Sequence, residues 1–116
     1  LSLQVKTSYR ALRTRGRGKD KHPDHYEWDV GERSANLNRM DLFFAFVDLK
    51  GARIELPDVF IIPSEVIFKA FDNPYFKSGV KRRWAYDTKV GSIAQYKNNW
   101  KMLEDYLNKR AQFVES

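Results

Sequence analysis

The first eight residues alternate between apolar and polar side chains. One set is apolar or carries a methyl group: Leu1, Leu3, Val5 and Thr7. The set between them is polar: Ser2, Gln4 and Lys6. Because successive side chains of a strand point to opposite faces, a period of two predicts a strand with a buried apolar face and a polar working face. This strand begins at the first residue without a cap or polar leader, so we expect further chain upstream.

Two apolar runs predict the centre of the sheet. Residues 41–49 are nearly continuous in apolar and aromatic side chains, which is typical of a central strand buried on both faces. Residues 59–62 form a second apolar run, which Pro63 closes. We expect a short helix to begin there, capped by Ser64, and to end before the Asn-Pro pair at 73–74.

Shorter patterns predict the connections between these elements. Residues 25–30 have the composition of a short strand, and residues 31–39 are polar enough to be a connection. Residues 76–88 are ambiguous, although Trp84 and Tyr86 alternate as they would in a strand.

The last part of the chain predicts one amphipathic helix of about four turns. Ser92 and Gln95 have the spacing of a capping box after Gly91. Apolar residues then recur at spacings of three and four: Ile93, Tyr96, Trp100, Leu103 and Leu107.

The composition is that of one globular domain. Of the 116 residues, 42% are hydrophobic and 15% are aromatic, which is enough for a compact core without a disulfide or metal staple. The lack of cysteine excludes disulfides, thiolate zinc sites and thiol catalysis. No apolar run approaches the roughly 18 residues of a membrane span, and the first residues lack the pattern of a signal segment. We therefore expect a cytoplasmic protein without a membrane segment.

The net charge of +6 favours a polyanionic partner, because cations that neutralise phosphates release counterions. Residues 9–23 are interpreted as a mobile loop with six cations: Arg10, Arg13, Arg15, Arg17, Lys19 and Lys21. Arg82 and Arg83 belong to a second basic group. We expect these eight residues to contact DNA phosphates. An ordinary solvated surface explains the same charges equally well.

Gln4 and Lys6 are the candidate chemical pair. They are two residues apart on the predicted strand, so their side chains point to the same face. In phosphodiester hydrolysis an amide oxygen can ligate a divalent ion, and an ammonium group can position the attacking water or offset developing charge. By itself, Gln-x-Lys is a common surface pattern.

In context, the string Gln4-Val5-Lys6-Thr7-Ser8 resembles the second motif of bacterial members of the PD-(D/E)xK nuclease superfamily, which reads Q-V-K-T in place of (D/E)-x-K. The similarity extends through the aromatic run at 42–49, the segment 60–66 and the Asn-Asn-Trp string at 98–100.

The resemblance implies an α/β (α+β) fold of the restriction-endonuclease-like type, with a mixed central sheet, flanking helices and the N-terminal elements lacking. Residues 1–116 would be one domain, the C-terminal part of a nuclease domain. Gln4 and Lys6 would be catalytic, and Gln4 would also ligate Mg²⁺ or Mn²⁺. The principal acidic ligand would lie on the preceding strand, upstream of Leu1. The implied function is that of a metal-dependent DNA endonuclease.

Two alternatives remain open. One is a catalytically inactive module on the same fold that binds nucleic acid. The other is an assembly module that associates through exposed strand edges, for example as a homodimer.

Several further residues are weaker candidates. His22 and His25 have metal-ligand spacing, but a loop gives the imidazoles no fixed geometry, and we interpret them as solvated. Four carboxylates are poor substitutes for the missing acidic ligand: Asp29, Glu32, Asp41 and Asp48. Trp28, Trp84 and Trp100 could stack on bases, but Trp100 lies on the apolar stripe and is expected in the core. Trp84 is the better candidate for stacking, although packing is favoured for it too.

Overall fold

Two three-stranded sheets form the framework of the protein, as seen in a computed structural model that describes residues 1–51, 55–72 and 84–115, with side chains through residue 109. The first sheet has the order β1-β4-β5, with bounds Ser2–Ser8, Leu42–Asp48 and Asp58–Pro63. The second has the order β2-β3-β6, with bounds Leu12–Arg15, His22–Asp29 and Ala85–Lys89. The fold is therefore α+β, with one mixed and one antiparallel sheet.

The described residues contain four α-helices: α1 (Glu32–Ala35), α2 (Ser64–Phe71), α3 (Val90–Ile93) and α4 (Trp100–Glu115). Two 3-10 turns accompany them, Gly18–Asp20 and Ala94–Tyr96. Arg82 and Arg83, and most of the ambiguous segment that contains them, lie outside the described residues.

The first sheet is mixed, with β4 at its centre. β1 runs parallel to β4, and β5 runs antiparallel to it. In β4 the buried run Leu42–Phe46 is continuous, because the two faces of the strand contribute to different clusters of the core. The predictions of a central strand at 41–49 and of a second strand ending at Pro63 are confirmed.

Helix α2 begins where the sequence predicts it, but Ser64 is not its cap. Pro63 occupies the N-cap position and makes no side-chain cap hydrogen bond. The Ser64 hydroxyl instead donates to the carbonyl of Arg39 at 2.6 Å and accepts from its N–H at 3.1 Å. The serine therefore ties the start of the helix to the segment before β4, a tertiary contact that the local sequence does not show.

The second sheet replaces the mobile loop predicted at residues 9–23. That segment contains β2, the turn Gly18–Asp20 and the start of β3. The turn requires glycine at position 16, where φ is 93° and a Cβ would lie 2.4 Å from the Asp20 carbonyl oxygen. The prediction rested on the run of cations and on the breakers Gly16, Gly18 and Pro23, and it was wrong because Arg13 and Arg15 have acidic partners on β3 that the local sequence does not show.

Aromatic side chains from both sheets form the main core. Trp28 and Tyr26 on β3 contact the first sheet, with Trp28 5.0 Å from Phe46 and Tyr26 5.0 Å from Phe60 between ring centroids. Trp28 is 1% exposed, so it packs in the core and does not present a surface for bases.

A smaller cluster lies on the opposite face of the first sheet. Phe43, Ala45 and Ile61 are buried there, and the partly buried side chains that pack on them include Met102, Leu103 and Tyr106 of α4. Helix α4 therefore covers β4 and β5.

The single helix predicted from the capping box onward is interrupted. Helix α3 and the turn Ala94–Tyr96 end before α4 begins, and Asn98, with φ of 52°, donates its N–H to the carbonyl of Val59 at 2.8 Å. The Gln95 side chain contacts the Ser92 carbonyl at 3.4 Å, inside α3, so the predicted capping box is also wrong. After the interruption, α4 does not continue the apolar face that the sequence predicts. Trp100, predicted in the core, is 50% exposed.

The burial of the two faces of β1 is the reverse of what the sequence predicts. Leu3 and Val5 are 42% and 59% exposed, while the polar side chains between them are half-buried. Among the described residues, β1 pairs with β4 alone and forms one edge of its sheet. Its apolar face is exposed because the contacts of α4 in the smaller cluster are with β4 and β5.

Candidate functional site

The half-buried face of β1 brings Gln4 and Lys6 to the same hydroxyl group. The Lys6 Nζ donates to Ser34 Oγ at 3.1 Å. Ser34 Oγ in turn donates to Gln4 Oε1 at 2.9 Å. The two residues that the sequence singles out are thus joined by a third from a distant part of the chain.

Ser34 reaches this face from α1, in the segment that the sequence presents as a polar connection. Gly31 precedes the helix with φ of 86° and ψ of 151°, and the N–H groups of Val30 and Gly31 donate to the Trp84 carbonyl at 2.9 and 3.2 Å. Ala35, next to Ser34, is 1% exposed and belongs to the main core. Ser34 had no recognisable signal in the sequence, because a four-residue helix is too short to show helical periodicity.

The hydrogen bonds to Ser34 leave Gln4 able to ligate a cation and Lys6 able to contact an anion. A carbonyl oxygen has two lone pairs, so Gln4 Oε1 can accept from Ser34 and ligate a metal ion at once. An ammonium group has three donors, so Lys6 can hold Ser34 and also contact a phosphate oxygen or a water molecule. Mg²⁺ is commonly held by one or two protein oxygens together with waters and substrate phosphates, and Gln4 fits the role of one such ligand.

Two of the four weaker carboxylate candidates, Asp48 and Asp41, accept hydrogen bonds from other groups of the protein. Asp48 is 2% exposed, and its Oδ1 accepts the N–H groups of Ala11 and Lys50, each at 3.0 Å. Asp41 is paired with Arg39 at 2.8 Å, and this hydrogen bond holds the pKa of Asp41 below its usual value.

The other two candidates are exposed: Asp29 at the end of β3 and Glu32 at the start of α1. Within the described ranges, no three His, Asp or Glu side chains are grouped so as to hold a metal ion.

Six of the eight cations predicted to contact DNA belong to the described residues, and all six are exposed. Arg13 pairs with Glu27 at 3.7 Å, and Arg15 pairs with Asp24 at 3.5 Å, both across the second sheet. Arg17 and Lys19 lie at the turn between β2 and β3.

Arg10 and Lys21 line a cavity of about 490 Å³ beyond the ends of β1 and β4. The Arg10 guanidinium lies against Gly51, where a Cβ would be 2.8 Å from its nitrogens. The same cavity contains Lys50 and Asp58, whose charged atoms are 3.3 Å apart, and this contact raises the pKa of Lys50. Acidic and basic side chains therefore share this cavity.

His22 and His25 lie on β3 and not in a loop, and they pair across the strands with Arg15 and Arg13, on either side of a bulge. His25 Nδ1 contacts Asp24 Oδ2 at 2.9 Å, whereas His22 Nδ1 contacts the Asp20 carbonyl oxygen at 2.8 Å. The two imidazoles have separate partners. His25 is half-buried, which differs from the expectation that it would be solvated.

Trp84 is half-buried and packs on Phe71, with ring centroids 5.5 Å apart. The packing interpretation of Trp84 is therefore confirmed. Base stacking by Trp84 would need its remaining exposed surface.

No helix in the described part of the chain is both long and apolar enough to cross a membrane. The chain matches no protein-family model, no curated protein and no solved structure.

Proposed function

We propose that this chain is part of a metal-dependent DNA endonuclease of the PD-(D/E)xK type. The observation that carries the proposal is the pairing of Gln4 and Lys6 on one half-buried strand face, within the Q-V-K-T string that resembles the family's second motif. The mixed sheet with β1 parallel to its central strand is compatible with that family's fold.

In the proposed reaction Lys6 acts on the scissile phosphate. Its ammonium group donates to the attacking water or to a non-bridging phosphate oxygen, and so stabilises the charge that develops as the phosphodiester bond is attacked. Gln4 supplies one oxygen ligand to Mg²⁺ or Mn²⁺. When bound, the ion would supply Lewis-acid stabilisation of the phosphate charge, with Gln4 as one of the residues that hold it.

The site needs at least one carboxylate in addition to Gln4. By the resemblance, that carboxylate lies on the strand that precedes β1. A strand paired with the open edge of β1 would place its side chains roughly 5 Å from their cross-strand neighbours, within reach of an ion shared with Gln4. The arrangement is supported by the position of Gln4 on β1, a strand that pairs only with β4 in the ranges that the structure describes.

DNA would be held by the exposed cations of the second sheet. Arg17 and Lys19 at the turn between β2 and β3 are placed to contact phosphates, and Arg10 and Lys21 extend the positive charge toward the cavity. Such contacts are sequence-independent, and each neutralised phosphate adds about 0.9 to the salt dependence of binding.

Nicking of supercoiled plasmid by the protein expressed from its gene tests the proposal. Mg²⁺-dependent nicking is expected in the wild type and absent in Lys6→Ala and Gln4→Ala. Lys69→Ala and Gln95→Ala are matched controls, because these residues are exposed and lie on α2 and on the turn after α3. A pure, folded wild type that leaves DNA intact with both Mg²⁺ and Mn²⁺ would overturn the nuclease assignment, and retained DNA binding in that protein would indicate the inactive binding module.

The exposed apolar face of β1 favours a second candidate, an assembly module. Leu3 and Val5 lie on β1, which within the described part of the chain has β4 as its one strand partner, and unpaired edges bind other chains unless they are charged or covered. Sedimentation of the wild type should then show a dimer or larger species that Val5→Lys reduces to a monomer. A monomeric wild type would remove this candidate.

A further inference from the structure

Ser34 is the one side chain for which hydrogen bonds to both Gln4 and Lys6 are seen in the described residues. It lies 30 positions from Gln4 and 28 from Lys6 in the sequence, so only the fold brings the three together. A hydroxyl group can accept and donate at the same time, which suits it to hold two side chains in fixed relation.

The direction of the two bonds is set by chemistry. An ammonium group has donors and no acceptor, so Ser34 Oγ must accept from Lys6. The single hydroxyl proton of Ser34 is then given to Gln4 Oε1. This orients the Gln4 amide with its oxygen toward Ser34 and its nitrogen away. The same direction argues against a nucleophilic serine activated by Lys6, because the proton that such a base would remove is already donated to Gln4.

The position of Ser34 is fixed by the core. The next residue, Ala35, is 1% exposed, and Val30 just before the helix is 3% exposed. The N–H groups of Val30 and Gly31 both donate to the carbonyl of Trp84, the residue before β6. Helix α1 is therefore held from both ends, and Ser34 is presented to β1 from a fixed support.

We propose that Ser34 is a positioning residue that sets the relative places of Gln4 Oε1 and Lys6 Nζ. The role of Ser34 in catalysis rests on the proposed function. Lysine has a long side chain with four rotatable bonds, and a bond at its end greatly reduces the conformations available to the ammonium group. Through Ser34, the ammonium group is held at a constant place relative to the oxygen that would ligate the ion.

The first test uses metal-free protein and no DNA. In ¹⁵N NMR spectra, Ser34→Ala should shift the Lys6 ammonium signal and the Gln4 side-chain amide signals, and speed exchange of the ammonium protons with water. Ser34→Thr keeps the hydroxyl group and should restore the wild-type signals. Ser92→Ala is the matched control, because Ser92 is an exposed serine on another four-residue helix, α3.

The second test is nicking kinetics with the same variants. Loss of a hydrogen bond that orients a ligand typically lowers activity about 10- to 100-fold. We expect a reduction of this size in kcat for Ser34→Ala, with KM for DNA changed by less than about twofold because Ser34 itself is not a phosphate contact. Ser34→Thr should recover most of kcat, and Ser92→Ala should match the wild type.

The outcomes separate this inference from the proposed function. Unchanged Lys6 and Gln4 signals in Ser34→Ala overturn the inference whether or not the wild type cuts DNA. Shifted signals with an unchanged kcat also overturn it. If no protein nicks DNA but the signals shift and Ser34→Thr restores them, the nuclease proposal fails while the positioning of Gln4 and Lys6 by Ser34 is supported.

Discussion

The indole Nε1 of Trp28 donates a hydrogen bond of 2.9 Å to the carbonyl oxygen of Val47. Trp28 lies on β3 and Val47 on β4, so this bond joins the second sheet to the central strand of the first. The indole also stacks on Tyr26, with ring centroids 5.4 Å apart and planes within 3°. The tryptophan therefore supplies both apolar contact and a polar link between the sheets.

Trp28→Phe should lower the free energy of unfolding by about 1–3 kcal/mol, because the Val47 carbonyl loses its donor in a partly buried position. Trp28→Ala should cost more, about 3–5 kcal/mol, since most of the ring contacts are lost as well. Urea denaturation followed by circular dichroism measures both. Trp100→Phe is the control, because Trp100 is 50% exposed and should change stability by less than about 0.5 kcal/mol. Equal effects at Trp28 and Trp100 would contradict the role of the bond.

Gly31→Ala should lower the free energy of unfolding by about 1–3 kcal/mol, because φ of 86° with ψ of 151° is a conformation almost confined to glycine. Apart from the two chain neighbours, no heavy atom of the described residues lies within 4 Å of the place a Cβ would take, so the cost comes from the backbone conformation and not from a tertiary clash. Thermal unfolding gives the difference. Gly91→Ala is the matched variant, also in open space but within helix α3, and it should be neutral or slightly stabilising. The same destabilisation at both glycines would show that the backbone conformation at Gly31 is not the cause.

Asp48→Ala should be among the more destabilising single substitutions, by about 2–5 kcal/mol, because the N–H groups of Ala11 and Lys50 would both lose their acceptor. Asp48→Asn keeps an acceptor oxygen in place and should cost about 1–2 kcal/mol, the loss of charge assistance. Denaturant unfolding of both variants, beside Asp105→Ala on the exposed surface of α4, measures the effect. If the alanine and asparagine variants were equally stable, the two hydrogen bonds would contribute little.

Continuous apolar patterns predicted their elements well. The central strand β4 and the succession of β5 and α2 follow from residues 41–49, 59–62 and Pro63, because burial on both faces leaves a strong local signal. Alternation in β1 also predicted a strand, but not which face is covered. That depends on where α4 packs, and the sequence of β1 has no information on it.

Elements held by distant contacts were not predicted. The apolar periodicity predicted that the last helix continues through Asn98. In the structure the helix is interrupted there, and the Asn98 N–H donates a hydrogen bond to the Val59 carbonyl. Likewise Ser34 has no local signal, because its role depends on the meeting of α1 with β1. Spacing and the resemblance pointed to the candidate pair on one face of β1, whereas the residue that joins the pair could be identified only from the fold.

Asp24 makes the second sheet sensitive to acid. A hydrogen bond with His25 is the main cause that holds the pKa of Asp24 below its usual value, and Lys89 and Arg15 lower it further against the opposing effect of partial burial. Since Arg15 is on β2 and Lys89 on β6, the carboxylate of Asp24 on β3 is linked to both neighbouring strands. A lowered pKa in the folded state means that the ionised form stabilises the fold above the ordinary pKa of aspartate, and that this stabilisation is lost as the pH falls through the lowered value.

His25→Ala should therefore raise the pKa of Asp24 toward its ordinary value, and acid should weaken the second sheet at a higher pH than in the wild type. Carboxyl ¹³C NMR titration measures the pKa of Asp24, and the exchange of backbone amides in β3 and β6 with solvent reports the weakening. Lys69→Ala is the control, because Lys69 pairs with Glu65 on α2 and should leave the titration of Asp24 unchanged. An unaltered Asp24 pKa in His25→Ala would show that the histidine contact does not set it, and Lys89→Ala would then be expected to give the larger shift.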